Sequence, residues 1–496
     1  MVEALEPLIY EISSAGRVGV NLPACDVPES PLPTDLLRDK LDFPEVSEMQ
    51  AVRHFVRLSQ LNHSIDTGFY PLGSCTMKYN PKINEDVARL AGFANLHPHT
   101  NPEGAQGALA MMYQLQEWLA EVSGFAGTSL VPAAGAQGEL AGILMIRKYH
   151  QDRNDAQRTK ILVPNSAHGT NPATVTMAGL EVIELPSDAE GNVDLTALKE
   201  ACSGEKAKLI AGMMITVPST LGLFEAHILD VVKTVHDAGG LMYMDGANMN
   251  ALMGIVKPGQ LGFDVMHYNL HKTFSTPHGG GGPGCGAVGV AERLLDFLPG
   301  PIVKITEAGT DDEAPLYGLV TPSKTIGQLK AFYGNFGMHI RAYAYIRAYG
   351  GEGLHEVSRH AVLNANYVRA KLMDTFTIPY PRYCGHEFVL EGHWEDAPSV
   401  HALDISKRLM DYGIHPPTNY FPLIVPEALL IEPTETETKQ TLDEFIEVMK
   451  KIAQEAKTSP ELLHDAPHVT PVSRVDEIKA AKELVLCCAP LLKTVE

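Results

Sequence analysis

The sequence predicts an α/β protein: a mainly parallel sheet covered by helices, followed by a smaller α+β domain near the C-terminus. Three observations carry this. From residue 128 onward, short apolar runs alternate with helical stretches. One lysine, Lys272, lies between a short apolar strand and a loop of almost pure glycine. Beyond residue 350 the pattern changes, with a short strand and two amphipathic helices.

The apolar runs are Thr128–Val131, Ile161–Val163, Val182–Leu185, Leu209–Thr216, Leu241–Met244, Val265–Tyr268 and Ala287–Val290. Helical stretches at Gly138–His150, Leu195–Ala201 and Ile228–Ala238 separate several of them. Strands alternating with helices make a parallel sheet buried on both faces. Ligands of such sheets bind at the carboxyl ends of the strands.

Before this region, Pro23, Pro28, Pro31 and Pro33 exclude a long helix, and an extended arm is expected to about residue 44. A helix is expected from Ser47 to Leu61. An aromatic, alanine-rich helix is expected between Leu329 and Gly350. The strand Phe388–Glu391 and the helices Val400–Tyr412 and Asp443–Ala456 form the smaller domain. Pro460, Pro467 and Pro471 mark a surface-running tail from Thr458. The expected division is an arm and helix at 1–60, a large domain at 61–345, a small domain at 346–457 and a tail at 458–496.

The chain of 496 residues can bury a large core. A formal charge of −21 argues against nonspecific nucleic-acid binding, which needs a basic surface. The seven cysteines form no CxxC pair, which fits free thiols in a reducing compartment. The first ten residues hold Glu3 and Glu6 and no basic stretch, so no secretory signal is read there. No apolar run approaches a membrane span. A cytoplasmic protein with small-molecule or protein partners is expected, with no membrane and no resident metal.

Lys272 is flanked by His271 and Thr273 and precedes the glycines at 279–282. That setting suits a lysine that forms a Schiff base with pyridoxal phosphate, whose amine must be neutral part of the time. The cofactor also needs an anion at its ring nitrogen, donors for its phosphate and a flat group over the ring. Asp245 ends a strand and is followed by the small residues Gly246 and Ala247, so its carboxylate can meet a ring nitrogen without crowding it. The alternative is a helix N-cap. Ala134, Gly135, Ala136 and Gln137 lie between a strand and a helix, where backbone N–H groups attract phosphate. His271 is a further candidate phosphate contact. His168 follows the strand Ile161–Val163 and can stack on the ring. Ser219 and Thr220 end another strand, and with Asn248 they are candidates for the substrate side. Both hydroxyls could equally cap the next helix.

These residues resemble the fold-type-I pyridoxal-phosphate enzymes, the aspartate aminotransferase superfamily. Four stretches are similar to the glycine cleavage system P-protein family: Phe69–Pro81, Tyr268–Gly284, Ala331–Gly337 and Leu430–Glu437. The resemblance covers nearly the whole chain but only the lysine-bearing half of the family's long form. It implies that Lys272 carries the cofactor, Asp245 faces its ring nitrogen, His168 stacks on it, and Ala134–Gln137 holds its phosphate. It implies an oxidoreductase that decarboxylates glycine and passes the aminomethyl group to the lipoyl arm of an H-protein, with Lys272 or His168 moving protons. It also implies a partner, subunit 1, in a heterodimer that itself pairs. Gly279–Gly284 and Tyr70–Cys75 are candidate walls of the lipoyl channel, and Cys75 is a candidate redox-sensitive thiol or a packed one. The rival readings are another fold-type-I decarboxylase or aminotransferase, and a noncatalytic assembly subunit.

Overall fold

Seven strands build the central sheet: β1 (Gly127–Ser129), β2 (Lys160–Pro164), β3 (Glu181–Leu185), β4 (Ile210–Thr216), β5 (Leu241–Gly246), β6 (Val265–Asn269) and β7 (Gly286–Val290). Their spatial order is β1-β7-β6-β5-β4-β2-β3. Only β7 runs against the others, antiparallel to both β1 and β6. The structure is a computed structural model and describes residues 5–28, 30–37, 43–278 and 284–485. Residues 279–283 of the expected channel wall, and Cys487 and Cys488, lie outside the described residues.

The strands β4, β5 and β6 are buried almost throughout. This is why they read as continuous apolar runs and not as alternating ones. The helix Ile228–Asp237 buries Ile228, Val231, Val232 and Val235, one stripe at helical spacing. The helix Gly135–Asp152 lies unusually close to the sheet. A Cβ at Gly142 would stand 2.2 Å from the Tyr243 ring, and one at Gly138 would stand 2.9 Å from His267. Glycine at one face of this helix therefore sets its start against the strand ends.

Two further sheets were only partly anticipated. A hairpin of β8 (Ile302–Glu307) and β9 (Leu316–Val320) was missed, because four of the six β8 residues are exposed and give no buried run. The smaller sheet has β10 (Phe388–Glu391), β11 (Thr418–Asn419) and β12 (Ala428–Ile431) in the order β10-β12-β11, all antiparallel. The helices Ala402–Asp411 and Lys439–Thr458 bury Ile405, Leu409, Leu442, Phe445 and Met449 in the same core as Phe388, Leu390 and Leu429.

The aromatic helix begins at Phe336, not at Leu329, and runs to Leu372. Phe332 and Gly334 before it have φ of 62° and 88°, which a helix cannot accommodate. Gly350, at φ 63° and ψ −178°, breaks it in the middle.

Residues 69–464 form one compact unit that holds all three sheets. Residues 1–68 and 465–496 form a second. In that second unit the helix Glu48–Gln60 starts with a capping box between Ser47 and Gln50. Glu6 bridges His54 and Arg57 on its surface at 3.0 and 2.6 Å. Among the described residues no helix is long and apolar enough to cross a membrane.

Candidate active site

The carboxyl ends of β2, β4, β5 and β6 open into one cavity of about 150 Å³. Ala136, His168, Thr220, Asp245, Ala247, Asn248 and Lys272 line it, as do Ser74, Glu139, Asn269, His386 and Glu387. Ala134, Gly135, Gln137 and His271 are not among its lining residues. Ser219 lines a different pocket beside Ser166 and Glu225, and its hydroxyl accepts from Leu221 N–H at 3.3 Å.

Asp245 is the last residue but one of β5 and is 3% exposed. Its Oδ2 accepts from Asn171 Nδ2 at 3.0 Å and its Oδ1 from Ala247 N–H at 3.0 Å. His267 Nε2 lies 3.4 Å from Oδ1. Burial works to raise the pKa of Asp245. His267, the two N–H donors and Lys272 outweigh it, so the carboxyl is held below its ordinary value. It is not a helix N-cap, since no helix follows directly.

Glu139 sits on the other side of Asn171. It accepts from Thr170 Oγ1 at 2.8 Å and from Asn171 Nδ2 and Thr174 Oγ1 at 3.2 Å each. Burial first, and the Asp245 charge second, push it up to about 7. Of two nearby acids, Asp245 keeps the charge and Glu139 keeps the proton. An acid raised by folding holds its proton after the unfolded chain has lost it. Folding stability is then fullest below about pH 4.5 and declines as pH rises toward about 7. Glu139→Gln removes that decline. Relative to wild type, the variant should gain stability between those pH values, by at most about 3 kcal/mol. Thermal melting across the range measures it.

Lys272 sits in a turn directly after β6, where its N–H reaches Asn269 O at 3.0 Å. The Thr273 hydroxyl accepts from Met249 N–H at 2.9 Å and ties this turn to the segment after Asp245. Lys272 Nζ donates to the Ser74 carbonyl at 2.6 Å. Ser74 and Thr76 both have positive φ, 65° and 51°. Two buried glutamates hold this strained loop. Ser74 N–H donates to Glu387 Oε2 at 2.6 Å. Thr76 N–H and Oγ1 donate to Glu432 at 3.0 and 2.8 Å, and Asn248 Nδ2 donates to Glu432 Oε1 at 2.8 Å. Gly73 N–H reaches Leu430 O at 3.1 Å, and Leu72 bridges Ile431, so the loop is tied to β12 of the smaller sheet.

His271 points away from the cavity. Its Nδ1 accepts from Cys285 N–H at 3.1 Å, and burial, with Lys272 adding to it, lowers it to about 4. His168 Nδ1 accepts from Thr170 N–H at 3.2 Å, which leaves the proton on Nε2. Burial holds this imidazole below its ordinary value, and its ring meets Phe421 edge-on at 5.3 Å. The Cys75 thiol is pushed up by burial despite Lys272 nearby, which makes it less nucleophilic than a free thiol.

The expected phosphate turn is the start of the helix Gly135–Asp152. Ala134 at the N-cap offers no capping side chain, and the first N–H groups of any helix lack an intrahelical partner. Gln137 closes the turn: its Oε1 accepts from Ala133 N–H at 2.7 Å and its Nε2 donates to Leu329 O at 3.1 Å. A Cβ at Gly135 would stand 1.9 Å from Asn269 Oδ1. Gly135→Ala should therefore destabilise the chain by about 1–3 kcal/mol. Adding Asn269→Ala should recover part of that in a melting measurement.

Sequence reasoning gave no role to Glu139, His386, Glu387 or Glu432, and Ser74 entered only as part of the candidate channel wall Tyr70–Cys75. Glu432 lies inside one of the distinctive stretches, and that was its only signal. Among the described residues, two buried groupings have metal-ligand chemistry, Glu139–Asp245–His267 and His386–Glu387–Glu432. In both, glutamate oxygens are engaged by the hydrogen bonds just described.

Solved structures share the fold. A glycine decarboxylase (P-protein) of the glycine cleavage system, in inhibitor-bound form, superposes with a TM-score of 0.71 at 21% identity, over 85% of this chain and 93% of that one. The Oryza sativa TDC with PLP and tryptamine does so with a TM-score of 0.63 at 15% identity, over 88% and 91%. The fold is that of the fold-type-I pyridoxal-phosphate enzymes. Residues 357–468 match the family model described as glycine dehydrogenase, C-terminal domain. The probable glycine dehydrogenase (decarboxylating) subunit 2 of Alkaliphilus oremlandii is 56% identical over 486 residues, 97% of each chain. The chain belongs to the glycine dehydrogenase (decarboxylating) subunit 2 family.

Proposed function

We propose that this chain is the cofactor-bearing subunit of a glycine-decarboxylating enzyme, with pyridoxal phosphate carried on Lys272. The observation that carries the reading is the meeting of Lys272 and the buried, ionised Asp245 in one cavity at neighbouring strand ends. The donor set suits the cofactor. Asp245 is a buried carboxylate, the Gly135 helix offers an uncapped N-terminus, and Thr216 Oγ1 and Asn269 Oδ1 are buried polar atoms with no hydrogen-bond partner among the described residues.

When bound, pyridoxal phosphate supplies an electron sink for the bond broken as carbon dioxide leaves. Asp245 holds negative charge at the ring nitrogen in a site that burial keeps dry. Glu139, protonated, keeps that charge single. His168 covers the ring face, and its Nε2 and Lys272 Nζ are the two places where a proton can be held or released. The Ser74 carbonyl orients the Lys272 amine. Ala134–Gln137 receives the phosphate, and Thr220, Ala247 and Asn248 line the remaining wall.

The family name of the relatives supports a separate subunit 1, and the proposed assembly is a heterodimer that pairs to a heterotetramer. The lipoyl arm of an H-protein is the proposed acceptor, and the cytoplasm the proposed location. The break at Gly350 supports the large-to-small domain boundary near residue 345, with the arm at 1–60 and the tail at 458–496. Borohydride reduction of the loaded chain followed by peptide mapping tests the cofactor site. The phosphopyridoxyl group should sit on Lys272. Its appearance on another lysine, or its absence, would overturn the reading.

A further inference from the structure

The cavity contains a basic residue for the cofactor but none for a substrate carboxylate. Lys272 is the one lysine or arginine that lines it among the described residues. A carboxylate entering this space must therefore be met by neutral donors or left unpaired. His386 stands ready for it. It lies just before β10, is 2% exposed and lines the cavity, and neither Nδ1 nor Nε2 has a hydrogen-bond partner among the described residues. Glu387 Oε1 lies 3.7 Å from Nε2, too far for a hydrogen bond. A buried imidazole with both nitrogens unsatisfied is rare unless a ligand completes it.

We propose that His386, with Glu387 beside it, receives the carboxylate of a small α-amino acid in this cavity. The inference rests on the glycine reading above and names the substrate contact which that reading leaves open. Burial, reinforced by Lys272, lowers His386 to about 3, so it offers one N–H and no charge. Burial and the neighbouring Glu432 push Glu387 well above the ordinary carboxyl range, so it is protonated and does not repel an anion. Glu387 Oε2 is occupied by Ser74 N–H, which leaves Oε1 on the His386 side.

A neutral donor also suits the chemistry. An arginine clamp would hold the ionised carboxylate most tightly before reaction and lose that grip as carbon dioxide leaves. Ground-state binding of that kind raises the barrier to decarboxylation. A single imidazole N–H orients the carboxylate with less of this penalty.

The test is a visible-absorbance titration of the cofactor-loaded complex with glycine and with methylamine, which keeps the amine and lacks the carboxylate. His386→Leu should weaken glycine binding by about tenfold to a hundredfold, the range of a lost hydrogen bond to a charged group. Methylamine binding should stay within about twofold, well below that range. His386→Gln, which keeps an N–H donor, should recover most of the glycine affinity. If His386→Leu does not fold, His386→Phe keeps the ring shape and carries the same comparison. Equal losses for both ligands, or no loss for glycine with the absorbance band intact, would overturn the role of His386 alone. A wild-type complex with no band would overturn the glycine reading and this inference together.

Discussion

Lys272→Ala should abolish the visible absorbance of the lysine-bound cofactor and lower glycine turnover by at least about 10³-fold. General acid–base groups contribute about 10²–10⁴-fold, and Lys272 is assigned both the covalent link and a proton position. The chain itself should remain folded. Among the described residues Lys272 makes one side-chain hydrogen bond, to the Ser74 carbonyl, and that loop is held independently by Glu387 and Glu432. Circular dichroism and absorbance on one sample separate the two effects. A variant that keeps the band would remove Lys272 from the site.

Asp245→Asn should leave the cofactor attached but slow turnover by about 10²–10³-fold, the cost of removing one preorganised electrostatic partner. Asn keeps the shape and an oxygen for Ala247 N–H, and removes the charge. Its amide would also face Asn171 Nδ2, donor against donor, where Asp245 Oδ2 accepts at 3.0 Å. A second consequence reaches Glu139. The Asp245 charge is one of the causes that raise Glu139 to about 7, so the variant should bring it down toward ordinary values. A pH titration of stability would show the Glu139 decline shifted to lower pH. Turnover at wild-type level in Asp245→Asn would contradict the assignment.

The parts of the site legible in the sequence share one physical origin. Buried parallel strands read as apolar runs, and the residues just beyond each run stand at the carboxyl edge of the sheet. Asp245, His168 and Lys272 were found in this way. Ala136 followed from a small-residue turn between a strand and a helix. Ser219 followed the same rule and missed, because its hydroxyl turns back to its own loop. His271 was read as a candidate phosphate contact from its place beside Lys272, yet its Nδ1 accepts from Cys285 N–H and the residue does not line the cavity.

What stayed hidden came from far along the chain. Ser74 and Glu387 meet across 313 positions and Thr76 and Glu432 across 356, and no local pattern announces such a pairing. Glutamate is ordinarily a surface residue, so a buried one gives no sequence signal until its partners are known. The late start of the aromatic helix has a similar cause. A Cβ at Gly334 would come 2.2 Å from Leu130 O, so that segment answers to a neighbour about 200 residues away, not to its own composition.

The central claim is glycine decarboxylation by this chain with a separate partner. Exchange of labelled bicarbonate into the carboxyl group of glycine tests it most directly, with and without subunit 1 and lipoylated H-protein. The account predicts exchange only when both accompany the chain, and its loss in Lys272→Ala. Full exchange by this chain alone would contradict the two-subunit enzyme. Exchange into another amino acid but not into glycine would contradict the substrate.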